Sequence, residues 1–177
     1  MNASLHLTAE RARLVEAAAR GPVLDLACGR GRNARAAAAW GARVVGIDRS
    51  PDHLRALRHG AADAGLTVSG VCADLETGHG IPVKPASCGA VLVFRFLFRP
   101  LADAITEALA PGGILLYETF TVHQKKLGYG PSRPAFLLED DELPHLFPGL
   151  EVLARWEGVE ARGERPEAVA RLTARKP

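Results

Sequence analysis

Short apolar runs alternate with longer stretches of mixed polarity along the first two-thirds of the chain. Val23–Leu26, Arg43–Ile47 and Thr67–Cys72 are four to six residues each, and Ala90–Phe96 is apolar throughout except at Arg95. A fifth run, Ile114–Glu118, follows. Runs of this length and β-branched content, bounded by glycine or proline, predict buried strands. Between them, Thr8–Arg20 predicts a helix with Thr8 as its N-cap and Gly21-Pro22 as its stop. Asn33–Trp40 is an alanine-rich helix closed by Gly41. Ser50-Pro51-Asp52 supplies a cap and then proline at the first helical position, which predicts a helix to about Gly65.

The second half is less regular. Leu101–Ala110 predicts a helix ending in a sharp turn at Pro111-Gly112-Gly113. An irregular stretch, Thr119–Leu138, carries Gly128, Gly130, Pro131 and Pro134. Glu139–Phe147 predicts a short helix with four acids at its start, where the helix dipole favours negative charge. Leu150–Val159 and Ala168–Arg175 have no helix between them and predict an antiparallel hairpin around a turn at Gly163–Pro166. The alternation points to an α/β fold with a doubly wound, mostly parallel, seven-stranded sheet and a terminal hairpin. With 177 residues and no internal repeat, residues 1–177 are expected to form one domain.

Composition removes several function classes. The chain is 47% hydrophobic and 24% charged, which excludes a disordered protein. The net charge is only +2 and the basic residues form no block of five, so no nucleic-acid partner is expected. Cys28, Cys72 and Cys88 are odd in number and show no C-x-x-C spacing. Reduced thiols in a cytoplasmic protein fit that pattern better than a disulfide framework or a zinc site. Cys28 and Cys72 read as small buried residues, and no metal site is readable. No apolar segment approaches the ~20 residues needed to span a membrane.

The strongest chemical signal is Val23-Leu-Asp-Leu-Ala-Cys-Gly-Arg-Gly-Arg-Asn33. An apolar strand runs into Gly29-x-Gly31, Asp25 lies four residues ahead, and Asp48 stands 17 residues after Gly31 at the end of the next strand. Glycines at such a turn let backbone approach a ligand, and an acid at the next strand's tip can accept both hydroxyl protons of a ribose. Gly29-x-Gly31-x-x-Ala34 also meets the loose dinucleotide fingerprint. Asp25, however, would repel a pyrophosphate and suits a cationic amino group. Asp74, ending the third strand, offers an acceptor to an adenine amino group. A hydride-transfer enzyme usually also needs a substrate domain, and no residues are left for one. These features favour S-adenosylmethionine over NAD.

Asp25-Leu-Ala-Cys-Gly29-Arg-Gly31 resembles the first motif of class I S-adenosylmethionine-dependent methyltransferases. Asp48, Asp74, the strand at Val91–Phe96 and Pro111-Gly112-Gly113 fall where that family has its later motifs, and the terminal strand pair matches its reversed hairpin. The resemblance spans about residues 8 to 175 and implies a Rossmann-like fold. Cys28-Gly29-Arg30-Gly31-Arg32-Asn33 is similar to the glycine loop of the small tellurite-resistance and thiol-type methyltransferases. Two departures stand out: Ala27 replaces a usual glycine, and Gly89 stands where many members carry aspartate. The expected cofactor-binding residues are Asp25, Ala27, Cys28, Gly29, Gly31, Asn33, Asp48, Arg49, Asp74, Leu75, Phe94 and Arg95. Leu75 either packs on the adenine or belongs to the core. Arg30 and Arg32 are expected to be dispensable, because this cofactor has no phosphate.

The acceptor should enter beyond the carboxyl ends of the strands. Phe94-Arg95-Phe96-Leu97-Phe98-Arg99 lacks both the Asn- or Asp-Pro-Pro-aromatic loop of exocyclic-amine enzymes and the Pro-Cys of C5-pyrimidine enzymes. Arg95 or Arg99 either holds an anionic acceptor or pairs with Glu118. His123 is either a general base or a solvent-facing loop histidine, with Tyr129 and Arg133 nearby. Arg95, His123 and Arg133 are the catalytic candidates, and Phe120 and Phe136 are candidate apolar walls. The expected activity is methyl transfer to a small-molecule acceptor of thiol, chalcogen or oxyanion type. The alternatives are O- or N-methylation of a carboxylate or protein, and a non-catalytic cofactor-binding module.

Overall fold

In the computed structural model, which describes residues 3–162 and 165–177, the chain opens with α1 (Leu5–Ala9), α2 (Arg11–Ala17) and β1 (Val23–Leu26). It continues through α3 (Arg32–Ala39), β2 (Val44–Asp48), α4 (Pro51–Ala62), β3 (Val68–Cys72) and β4 (Cys88–Phe94). Then come α5 (Ala102–Ala108), β5 (Leu109–Phe120), α6 (Glu142–His145), β6 (Glu151–Arg162) and β7 (Arg165–Arg175). Gly163 and Glu164, part of the turn expected at Gly163–Pro166, lie outside the described residues.

The strands form one sheet in the order β3-β2-β1-β4-β5-β7-β6. β1 pairs in parallel with both β2 and β4, β2 with β3 and β4 with β5, while β7 runs antiparallel to β5 and β6. The chain thus winds outward in one direction from β1 and in the other from β4. Connections leaving these two neighbours diverge, and a crevice opens beyond their carboxyl ends. Every residue of β1 and β4 is buried, as expected for central parallel strands covered on both faces. Leu7, Leu14, Leu57, Leu92 and Leu116 belong to the apolar layer on one side of the sheet, and Leu24, Val91, Leu115, Tyr117 and Phe147 to the other.

Three elements differ from the sequence expectation. The first helix starts at Leu5 and breaks after Ala9, so Thr8 sits inside it and donates its hydroxyl to the Ser4 carbonyl at 3.0 Å. Ser4 occupies the N-cap position without capping, because its hydroxyl is drawn to Glu118 at 3.2 Å. Pro111-Gly112-Gly113 is no turn between elements but a bulge within β5: Cys88 pairs with Leu109, and Ala90 already with Ile114. Lys176 supplies the missing partners, accepting from Gly112 N–H at 2.8 Å and donating its own N–H to Gly113 at 2.9 Å. The acidic helix shrinks to Glu142–His145, since Asp141 adopts a left-handed φ of 57°.

Gly89 has a backbone reason. A Cβ there would lie 2.2 Å from the Ala17 carbonyl oxygen and 2.8 Å from that of Gly21, so the start of β4 touches the main chain after α2 directly. No described helix is long and apolar enough to cross a membrane.

Candidate active site

The glycine turn after β1 is left-handed at Ala27 (φ 49°), Gly29 (φ 54°) and Gly31 (φ 75°). Such backbone costs an ordinary residue roughly 1–2 kcal/mol, a cost that Ala27 carries and a glycine there would not. The two glycines differ in purpose. A Cβ on Gly29 would meet nothing within 4 Å and would project into open space, leaving room for a ligand. One on Gly31 would lie 2.0 Å from Leu57 Cδ1, so this glycine lets α3 begin close against α4. The turn is pinned to β2, with Cys28 N–H donating to the Ile47 carbonyl at 3.0 Å and Gly29 N–H to Asp48 Oδ2 at 2.8 Å.

Asp25 is fully enclosed beneath this turn. Burial pushes its pKa up to about 7, against a hydrogen bond from the Ala34 backbone and the nearby Arg32, both of which lower it. A carboxyl held protonated in the fold but ionised when unfolded makes stability fall as pH rises from about 4 to about 7. A cation bound beside Asp25 would favour its ionised form. The melting-temperature gain from S-adenosylhomocysteine should therefore grow between pH 6 and pH 8, and Asp25→Asn should flatten that growth. A ligand-induced shift in the wild-type protein that does not change with pH would mean that no cationic group binds beside Asp25.

Two cavities adjoin at the strand ends, of about 420 and 340 Å³, and share Ala27, His53 and Arg95. Asp48, Arg49, Asp74 and Leu75 line the larger; Asp25, Cys28, Gly29, Asn33 and Phe94 line the smaller. Of the expected cofactor residues only Gly31 lines neither, acting instead at the start of α3. Several have structural partners too. Asn33 Oδ1 accepts from Ser4 N–H at 2.9 Å, Asp74 Oδ1 from Glu76 N–H at 2.9 Å, and Arg49 pairs with Glu76 at 3.0 Å. Leu75 packs in the core and also lines the larger cavity. Arg30 and Arg32 sit at the rim of the smaller cavity. Burial raises the Cys28 thiol well above its ordinary pKa and keeps it neutral.

On the acceptor side the candidates separate. Arg95, at a left-handed φ of 63°, lies over the Phe120 ring at 4.4 Å and pairs with Glu167. Its Nε is buried without a hydrogen-bond partner, 3.8 Å from Glu118 Oε1. Glu118 is fully buried and also accepts from Ser4 Oγ and from Arg171 Nε, the latter at 2.9 Å. Arg99 instead binds both carboxylate oxygens of Glu142 and the Leu137 carbonyl, fastening the loop to α6. His123 pairs with Asp140 at 2.8 Å on the surface, Arg133 is exposed, and neither lines either of these two cavities. The stretch folds as two 3-10 turns, Val122–Leu127 and Pro134–Phe136, followed by the core residues Leu137 and Leu138. That path sets Phe120, Pro131 and a half-exposed Phe136 along the larger cavity, buries Gln124 and leaves His123 and Arg133 outside.

His53 was not expected. It lines both cavities, and its Nδ1 lies 3.1 Å from Asp48 Oδ1. The signal for it is present in Asp48-x-Ser50-Pro51-x-His53. Ser50 Oγ caps His53 N–H at 3.3 Å, and this fixed helix start turns the histidine back toward the acid.

Comparison with known proteins agrees with this geometry. Among solved structures, TehB from Haemophilus influenzae superposes with a TM-score of 0.73 at 19% identity, over 94% of this chain and 62% of that one. A SAM-dependent methyltransferase from Methanosarcina mazei gives 0.71 at 17% identity, over 88% and 92%. At such identities these likenesses show the fold. The ubiquinone biosynthesis O-methyltransferase of Idiomarina loihiensis is 31% identical over 108 residues, which are 58% of this chain and 44% of that one. The chain thus spans less than half the length of that relative. The methyltransferase-domain family matches residues 23–113, more than half of the chain and the whole stretch from β1 to the β5 bulge. The chain belongs to that methyltransferase-domain family.

Proposed function

We propose that the two adjoining cavities form one cleft for S-adenosylmethionine, with a small-molecule acceptor entering alongside the stacked pair Arg95 and Phe120. The carrying observation is that Ala27, His53 and Arg95 line both cavities, so one extended ligand can reach from Asp25 to Asp74. In this reading Asp25 and Asn33 hold the amino-acid end, Asp48 the ribose, and Asp74 with Leu75 the adenine. The bound cofactor supplies a methyl group on a sulfonium, which is already a strong electrophile. The protein has to align the acceptor and exclude water. Phe96, Phe120 and Phe136 give the larger cavity apolar walls, and Arg95 offers a positive charge to an anionic nucleophile. A thiolate, reduced chalcogen or other soft anion arrives already deprotonated, so no general base is asked of the wall. His123 and Arg133 have no part in this reading, which also takes residues 1–177 as a single methyltransferase domain.

The name of the Idiomarina loihiensis relative favours a second reading, methylation of a hydroxyl oxygen. An aromatic hydroxyl compound would suit the same phenylalanine walls. Release of S-adenosylhomocysteine across a panel of thiols, reduced chalcogens and phenols separates the two. Arg95→Met should lower turnover of an anionic acceptor by about 10- to 100-fold, the loss of a charged hydrogen bond of ~1.5–3 kcal/mol, and change cofactor affinity far less. Unchanged turnover in that variant would move the anion site away from Arg95.

A further inference from the structure

A carboxylate presents about four lone-pair sites to hydrogen-bond donors. On Asp48 three are filled by the protein itself. Oδ2 accepts from Gly29 N–H at 2.8 Å, and Oδ1 accepts from Ser50 N–H at 2.9 Å and from His53 Nδ1 at 3.1 Å. The two backbone donors are fixed by the glycine turn and by the start of α4. One site is left, on Oδ2, while a ribose brings two hydroxyl groups. The acid that the sequence offers for both hydroxyls therefore has room for one.

His53 has the chemistry to receive the other. An ionised carboxylate accepts only, so the Nδ1 facing Asp48 carries the proton, and in the neutral ring Nε2 is then an acceptor. The side chain is 45% exposed and lines both cavities, so ligand can reach the ring. We propose that ribose recognition is divided, Asp48 accepting one cofactor hydroxyl at Oδ2 and His53 Nε2 accepting the other, with Asp48 fixing the tautomer that makes this possible. His53 is then a specificity residue for an intact ribose diol and not merely a neighbour of the acid. The inference rests on the cofactor cleft described under Proposed function.

The test is a cycle of protein and ligand changes read by calorimetry. S-adenosylhomocysteine and its 2′-deoxy and 3′-deoxy analogues are titrated into the wild-type protein, His53→Leu and His53→Gln. The wild type should bind the analogue lacking the Asp48-held hydroxyl about 10- to 100-fold more weakly than the parent, and the one lacking the His53-held hydroxyl roughly 3- to 10-fold more weakly, the worth of a neutral hydrogen bond. His53→Leu should bind the parent weaker by a similar factor and lose its sensitivity to one hydroxyl while keeping its sensitivity to the other. His53→Gln, which restores a polar group, should recover part of that sensitivity. A purely structural histidine would weaken all three ligands alike, and full sensitivity to both hydroxyls in His53→Leu overturns the proposal. Thermal melting of the unliganded variants separates loss of folding from loss of contact. Absence of binding by the parent ligand to the wild-type protein would instead overturn the cleft assignment itself.

Discussion

Replacing Asp48 by alanine should weaken S-adenosylhomocysteine binding by about 10- to 100-fold. The removed contact is a hydroxyl hydrogen bond to a charged acceptor, worth ~1.5–3 kcal/mol. The damage extends to the apo protein, because Gly29 N–H and Ser50 N–H both donate to this carboxylate. Losing a cap-like acceptor costs on the order of 1 kcal/mol, so the variant should also melt earlier than wild type. Calorimetry and thermal melting report the two effects separately. Unchanged affinity would place the ribose elsewhere in the cleft.

Gly89→Ala should destabilise the fold by about 3 kcal/mol, the upper part of the range for overpacking a tight site. The added Cβ would strike the carbonyl oxygens of Ala17 and Gly21, which are main-chain atoms and cannot swing aside as a side-chain end can. For a domain of this size the change corresponds to a melting point roughly 6–12 °C lower. Gly89→Asp should be worse, because it adds a buried charge to the clash. A melting point within a degree of wild type in the alanine variant would mean that the segment after α2 is free to retreat.

What was legible in the sequence was what short stretches of chain decide. The buried strand Val23–Leu26, the glycine turn and the Ser50-Pro51 helix start all depend on neighbours in sequence, and the structure contains each. Asp48 could be found because strand and turn together locate its tip. His53 was overlooked although its position follows from the same helix start, since a lone histidine in a helix carries no periodic signal. The loop between β5 and α6 was opaque for another reason. Which of its side chains face inward depends on Leu137 and Leu138 reaching the core and on Arg99 gripping Glu142, contacts the local sequence does not announce. The bulge at Pro111-Gly112-Gly113 was likewise hidden, as its hydrogen bonds come from Lys176, more than sixty residues later.

The seam between the first helix and the far strands also sets an order of events for the newly made chain. Ser4 reaches Glu118 across 114 residues, and His6 reaches the Leu172 carbonyl across 166. At ~5–20 residues per second, a ribosome needs on the order of ten seconds or more to deliver that second partner. β6 is made before β7 yet lies outside it in the sheet, so it has no strand to join until β7 has been made. The glycine turn and Asp48 can assemble early from adjacent segments. The wall that holds Arg95, built on Glu118, Glu167 and Arg171, comes together only when the hairpin is home. A nascent chain would thus complete the glycine-turn side of the cleft before the Arg95 side.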